Sequence, residues 1–254
     1  MCYDGKAQPP TPPGPTGAAE GEDLVLTAAD GNQFAAYSAK PEKPGAGQVL
    51  IYPDVRGLHQ FYKDLALRFA EVGIPAVAMD YFGRTAGLTS RDESFEFMPH
   101  VQQLKLGTVL TDARAALDVL HAGGGAGMAT FTVGFCMGGS LSLYSGTEDL
   151  GLAGVIGFYT GFGRKMDEKK GTALEAASGM RAPVLGLYGG ADAGITAEQR
   201  QTLDETLDRV GVEHEIVVYP GAPHSFFDRR AAEHAEASAD AWRRVLGFIA
   251  KHSG

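Results

Sequence analysis

The sequence has little cysteine and no long apolar stretch. Only two of its 254 residues are cysteines, Cys2 and Cys136. Two cysteines this far apart do not make the disulfide framework of a small secreted protein. We therefore expect the protein to work in the reducing cytoplasm. The sequence contains no run of about 18 or more apolar residues, so it predicts no membrane-spanning helix. The N-terminus also lacks the basic and apolar regions of a signal peptide, so we expect neither secretion nor a membrane partner.

Positive charge and metal-binding motifs are also scarce. There are 22 Lys and Arg residues against 31 Asp and Glu residues, which gives a net charge of −9. A chain with this charge is not attracted to nucleic acid, so we expect its substrate to be a small molecule. We also expect a monomer or a weak homodimer. The histidines are scattered, and no HExxH or paired CxxC motif occurs. We therefore predict no metal site.

Apolar stretches typical of buried strands alternate with helical patterns along most of the chain. The predicted strands are residues 24–27, 33–37, 48–52, 74–79, 129–133, 153–159, 183–188 and 215–219. The predicted helices are residues 60–72, 109–120, 140–145, 196–210 and 231–251. This alternation predicts an α/β fold with a mostly parallel eight-stranded sheet and helices on both faces. Residues 160–181 are too few for a sizeable cap domain.

The N-terminal segment differs from the rest in composition. Residues 1–21 contain five prolines and almost no large apolar side chains: Pro9, Pro10, Pro12, Pro13 and Pro15. Such a segment buries too little surface to offset the entropy lost on ordering. We therefore predict a disordered proline-rich tail over residues 1–21 and one domain over residues 22–254.

A glycine-rich turn around Cys136 is the strongest functional signal. Residues 134–139 read Gly-Phe-Cys-Met-Gly-Gly, and they lie between a predicted strand and a predicted helix. Glycines let a strand and the following helix cross closely behind a side chain on a sharp turn, as in the nucleophile elbow of α/β-hydrolases. A helix N-terminus also lowers the pKa of a thiol from its usual value of about 8.5. A lone cysteine is more often a small core residue, but this one has suitable partners downstream.

Those partners are Asp192 and His224, each just after a predicted strand. The order cysteine, aspartate, histidine is the order of nucleophile, acid and base in α/β-hydrolases. Alone, Asp192 would be interpreted as a turn-capping residue and His224 as a solvated loop histidine. Together with Cys136 they predict a catalytic triad. The fold further predicts an oxyanion hole from the backbone N–H groups of Met137 and Val55.

Five motifs together resemble the dienelactone hydrolase family. They are GFCMGG at residues 134–139, GGAD at 189–192, PHSFF at 223–227, PDVRG at 53–57 and DYFGR at 80–84. The resemblance spans residues 24–249 and implies hydrolysis of a small lactone or ester without a metal or a cofactor. It also implies that Cys136, Asp192 and His224 are the catalytic residues.

The resemblance implies roles for further residues. Asp54 matches a family glutamate that accepts the proton of the thiol. Arg84 matches one of two arginines that bind the substrate carboxylate, whereas the second position is Asp228, whose charge would repel a carboxylate. Tyr159 and Ser225 are expected beside the substrate. A structural interpretation stays open for Arg84, as a surface charge, and for Tyr159, as a core aromatic.

Two functions from different classes fit these observations. The first is a cysteine hydrolase of small esters or lactones that works through an acyl-thioester intermediate. The second is a non-catalytic ligand-binding or thiol redox-sensing protein on the same fold. A redox sensor needs no Asp192–His224 pair, and Cys2 would be its resolving cysteine.

Overall fold

The chain begins with an antiparallel hairpin. In this computed structural model, which describes residues 6–125 and 127–254, β1 spans Ala19–Thr27 and β2 spans Gln33–Pro41. Residues 19–21 therefore belong to the sheet and not to the predicted tail, because their backbones pair with β2. The segment before β1 also has contacts: the Trp242 side chain donates a hydrogen bond of 2.8 Å to the Pro10 carbonyl. The first five residues of the predicted tail lie outside the described residues.

Strands and helices alternate after the hairpin. In chain order they are β3 (Gly47–Tyr52), α1 (Gln60–Glu71), β4 (Ala76–Met79), α2 (Gly83–Ala86), α3 (Met98–Gln103), α4 (Leu106–Leu120), β5 (Ala129–Phe135), α5 (Met137–Gly146), β6 (Leu152–Phe158), β7 (Lys165–Asp167), β8 (Gly171–Thr172), α6 (Ala173–Ala176), β9 (Val184–Gly189), α7 (Ala197–Arg209), β10 (His214–Tyr219) and α8 (Ala235–Lys251). The short helices α2 and α3 lie in a region that the sequence analysis left irregular.

Eight strands form one sheet in the order β1-β2-β4-β3-β5-β6-β9-β10. β2 is antiparallel to β1 and to β4, and the other neighbouring strands are parallel. The predicted α/β architecture is confirmed. Because parallel strands end at the same edge of a sheet, the loops after β3, β4, β5, β6, β9 and β10 meet there.

The central strands form the core of the molecule. Every residue of β3, β4 and β9 is buried, as expected of strands covered by helices on both faces. The region between β6 and β9 holds only the small β7–β8 hairpin, α6 and a 3₁₀ turn, so no large cap covers this edge of the sheet. None of the described helices has the length and apolar character that a membrane span needs.

Candidate active site

Cys136 lies on a strained turn between β5 and α5. Its φ of 55° and ψ of −113° are unusual for a residue with a Cβ atom, and such strain is typical of functional sites. A Cβ on Gly134 would lie 2.0 Å from the Gly138 carbonyl oxygen, and one on Gly138 would lie 2.1 Å from the Pro53 carbonyl oxygen. The two glycines therefore let β5, α5 and the end of β3 approach closely around Cys136.

The first turn of α5 presents backbone donors near the thiol. Cys136 is the N-cap residue of α5, so its half-buried side chain lies directly before the first helical residue. The N–H of Met137, the first helical residue, has no acceptor within the helix. Val55 lies in the turn after β3 that is closed by a 3.0 Å hydrogen bond from the Gly57 N–H to the Asp54 carbonyl. Both N–H groups predicted for an oxyanion hole thus lie on tight turns at the carboxyl ends of neighbouring strands.

Asp192 and His224 form a hydrogen-bonded pair. Asp192 Oδ2 lies 2.6 Å from His224 Nδ1, and Asp192 Oδ1 accepts a 2.9 Å bond from the Gly194 N–H. Burial raises the pKa of Asp192, but the hydrogen bond and the charge of His224 outweigh burial, so the pKa lies below its usual value. An ionised aspartate that accepts from Nδ1 fixes the tautomer of the imidazole, so that its lone pair lies on Nε2.

Tyr159 lies against His224 and is fully buried. Its ring centroid is 4.9 Å from that of His224, and its hydroxyl donates a 2.9 Å bond to Asp228 Oδ2. Burial raises the pKa of Tyr159 well above its usual value, and the charges of Asp228, Asp54 and Cys136 raise it further. Tyr159 is therefore buried, as its structural interpretation requires, and it also contacts a predicted site residue.

Ser225 follows His224 directly and shares its environment. Its φ is 61° and its side chain is completely buried. Within the described part of the chain, its hydroxyl oxygen has no hydrogen-bond partner. A buried hydroxyl in this condition beside a predicted catalytic histidine is a candidate contact for a substrate.

Asp54 is buried beneath the turn that carries Val55. Its Oδ1 accepts a 2.9 Å bond from the Arg56 N–H and lies 3.5 Å from His59 Nε2. The side chains of Asp54 and His59 are only 1% and 5% exposed. The sequence motifs did not indicate that His59 belongs to the site. Its position could have indicated this, because His59 ends the polar loop that begins with Asp54 five residues earlier.

Arg84 is not gathered with the other predicted residues. Its guanidinium pairs with Asp30 in the β1–β2 turn and with Asp112 on α4, at 2.7 Å in both cases. The Asn32 side chain donates a third contact to Asp112. The guanidinium is thus held by two carboxylates, an arrangement that differs from the substrate-binding role expected from the sequence.

The residues that could bind a metal ion are not among the predicted site residues. In the described residues, the one group of three potential metal ligands within 4.8 Å of one another is Asp204, Asp208 and His214. None of the predicted site residues belongs to it, and His214 pairs with Asp204 at 3.1 Å. Cys2, which a redox function would need as a resolving cysteine, lies outside the described residues.

The sheet order and the cysteine turn between β5 and α5 are those of an α/β-hydrolase. A model of the dienelactone hydrolase family matches residues 34–253, and the chain belongs to that family. It is 29% identical over 230 residues to a "Putative carboxymethylenebutenolidase" of Yersinia pestis, covering 87% of this chain and 85% of that protein. A protein of the same name from Methylorubrum extorquens is 30% identical over 222 residues, covering 85% of this chain and 76% of that protein.

A solved structure supports the same relationship. The crystal structure described as "Putative Dienelactone Hydrolase" from Klebsiella pneumoniae superposes with a TM-score of 0.80 at 26% identity. The superposition covers 92% of this chain and 99% of that chain. The predicted family and the predicted fold are both confirmed, and the family identifies the protein as dienelactone hydrolase-like.

Proposed function

We propose that the protein hydrolyses small carboxylic esters or lactones with Cys136 as nucleophile, His224 as general acid and base, and Asp192 as the residue that orients His224. One observation carries the proposal: the 2.6 Å pair between Asp192 and His224 stands at the strand ends where the Cys136 turn also lies. A positioned acid–base pair is what a thiol on such a turn requires for acyl transfer.

The reaction has two halves in this proposal. The Cys136 thiolate attacks the acyl carbon, and the carbonyl oxygen takes up negative charge that the N–H groups of Met137 and Val55 stabilise. The bond to the leaving oxygen then breaks, and the imidazolium of His224 gives its proton to that oxygen, which leaves a thioester on Cys136. A water molecule then gives a proton back to His224 and attacks the thioester, which releases the carboxylic acid and the Cys136 thiolate, and the thiolate takes back the proton that the thiol gave up at the start.

The charges near the site favour substrates without a carboxylate. Arg84 is already neutralised by Asp30 and Asp112. Asp228 is fixed as a buried carboxylate by the Tyr159 hydroxyl, and a substrate carboxylate beside it would be repelled. The short region between β6 and β9 favours small substrates over peptides. We further propose that the protein works in the cytoplasm without a cofactor.

The decisive experiment removes the sulfur. Cys136→Ala should lower kcat/KM for p-nitrophenyl acetate by about 10⁵-fold or more, since loss of the nucleophile leaves only binding and the oxyanion donors. Cys2→Ala is the matched control, and it should keep full activity. Unchanged turnover in Cys136→Ala, with the circular dichroism spectrum of wild type, would refute the proposal.

A further inference from the structure

We propose that His59 is a positioning residue that acts through Asp54. In this arrangement His59 holds Oδ1 of Asp54 and leaves Oδ2 for the role that the family resemblance implies for Asp54, which is to accept the proton of the Cys136 thiol. The inference rests on the proposed role of Cys136 as nucleophile. It adds a second imidazole–carboxylate pair, which serves the resting thiol and not the leaving group.

Asp54 lies next to the turn that carries the thiol. The first turn of α5 packs on the end of β3 so closely that a Cβ on Gly138 would lie 2.1 Å from the Pro53 carbonyl oxygen. Asp54 is the next residue after Pro53. The charges of Asp54 and Cys136 both raise the pKa of Tyr81, after the larger effect of burial, and both also raise the pKa of Tyr159. The two groups therefore lie around the same pair of phenols.

The two oxygens of Asp54 have different surroundings. Oδ1 accepts the Arg56 N–H at 2.9 Å and faces His59 Nε2 at 3.5 Å. Oδ2 is buried and has no hydrogen-bond partner among residues 6–125 and 127–254. A buried polar atom without a hydrogen-bond partner is rare and calls for an explanation. Oδ2 therefore has an open hydrogen-bonding position that the S–H group of Cys136 can fill.

The place of His59 in its helix does not explain its orientation. His59 is the N-cap residue of α1, yet its side chain makes no capping hydrogen bond. Asn, Asp, Ser and Thr are the preferred residues there, and a positive charge is unfavourable at a helix N-terminus. The imidazole instead packs edge-on against Tyr62, at 4.8 Å between ring centroids, with Nε2 towards Asp54. A tautomer with a proton on Nε2 places a donor towards Oδ1 of Asp54 in this position.

The proton transfer is balanced without another reactant. The S–H bond of Cys136 breaks, its electron pair stays on sulfur, and the proton binds to Asp54 Oδ2. His59 keeps its own proton and faces Oδ1 at 3.5 Å before and after the transfer, and the proton on Oδ2 returns to sulfur when the thioester is cleaved. The titratable or charged groups around Asp54 are Arg56 and His59 of its own loop, Tyr62 of α1, Tyr81 after β4, Cys136 before α5, and Tyr159 after β6, with Asp228 behind Tyr159.

The test compares two substitutions of His59 in a Cys2→Ser background, in which iodoacetamide reports Cys136 alone. His59→Phe keeps a buried ring but removes the donor, whereas His59→Gln keeps an N–H donor at similar reach. Loss of the donor disfavours ionised Asp54, so the acid limb of kcat/KM should move to higher pH by about one unit in His59→Phe. The alkylation rate of Cys136 against pH should move in the opposite direction, because a carboxylate that binds the thiol proton more tightly leaves more thiolate at each pH.

His59→Gln should keep both profiles within about 0.3 pH unit of wild type, the shift that corresponds to a twofold change in proton affinity. His214→Phe is the matched control, because it removes the remote imidazole that pairs with Asp204, and it should leave both profiles unchanged. Equal profiles for His59→Phe and wild type, with ester turnover intact, would overturn this inference while the proposed function stands. Turnover that survives Cys136→Ala would instead remove the proposed function.

Discussion

Two imidazole–carboxylate pairs lie at the same edge of the sheet, and they differ in contact and in exposure. In the first, Asp192 Oδ2 lies 2.6 Å from Nδ1 of His224, whose side chain is 27% exposed. In the second, Asp54 Oδ1 lies 3.5 Å from Nε2 of His59, whose side chain is 5% exposed. The first pair can therefore exchange a proton with a substrate or with water, whereas the second is closed to both.

The difference teaches that burial and the choice of nitrogen assign the roles. A histidine held through Nδ1 presents Nε2 to the substrate, as a general acid and base must. A histidine whose Nε2 faces a buried carboxylate cannot use that nitrogen on a substrate. In the proposed mechanism, one pair therefore serves the leaving group and the other serves the resting thiol. Substitutions in each pair test whether the two pairs are as unequal as their surroundings indicate.

Among substitutions in the two pairs, the largest expected effect comes from Asp192→Asn. An amide in place of the carboxylate no longer fixes the tautomer of His224 or stabilises its protonated form, so kcat should fall by about 10⁴-fold. The measurement is single-turnover and steady-state hydrolysis of p-nitrophenyl acetate. Asp204→Asn, at the remote pair with His214, is the matched control and should retain activity. Activity in Asp192→Asn near that of wild type would mean that this pair is structural.

A smaller loss is expected from Asp54→Asn. It removes the proton acceptor proposed for the thiol, but His224 remains as a base, so kcat/KM should fall by about 10²-fold, at the low end for general-base groups. KM should change little, because Asp54 is buried beneath its turn. Asp54→Glu should recover part of the loss, since it restores a carboxylate. A loss as large as that of Asp192→Asn would erase the proposed distinction between the pairs.

Sequence patterns were enough to predict the sheet and to predict the pair formed by Asp192 and His224, but not the pair formed by Asp54 and His59. Parallel strands buried on both faces have an apolar sequence, so β3 and β9 were recognisable, and the glycines around Cys136 marked the turn. Asp192 and His224 followed from their order after predicted strands. The short helices α2 and α3 were missed because they are too short to show a helical period.

Side-chain direction was the part that patterns could not supply. His59 was visible as a residue, but only the folded structure shows that its imidazole faces Asp54. Arg84 was expected at the substrate, yet its partners Asp30 and Asp112 lie 54 and 28 residues away in sequence. Such long-range contacts determine the position of the charged group at the end of a flexible side chain, and a local sequence motif does not contain this information.

Arg84→Ala gives the smallest expected effect on catalysis and separates stability from function. It leaves the buried Asp112 carboxylate with Asn32 as its remaining donor, so the free energy of unfolding should fall by about 1–3 kcal/mol. Hydrolysis of a neutral ester should change by less than about twofold, and the ratio of rates for matched esters with and without a carboxylate should not move. Urea unfolding and this substrate pair are the two measurements.

Asp30→Asn is the control for Arg84→Ala, because Asp30 contacts the same guanidinium from a side chain that is 46% exposed. Its loss of stability should be smaller than that of Arg84→Ala, since exposed ion pairs contribute little. If Arg84→Ala instead lowered kcat/KM only for the ester that carries a carboxylate, Arg84 would bind substrate. The guanidinium would then have to leave Asp30 and Asp112 when substrate enters, and the edge of the sheet would carry a cationic group in addition to its two imidazole–carboxylate pairs.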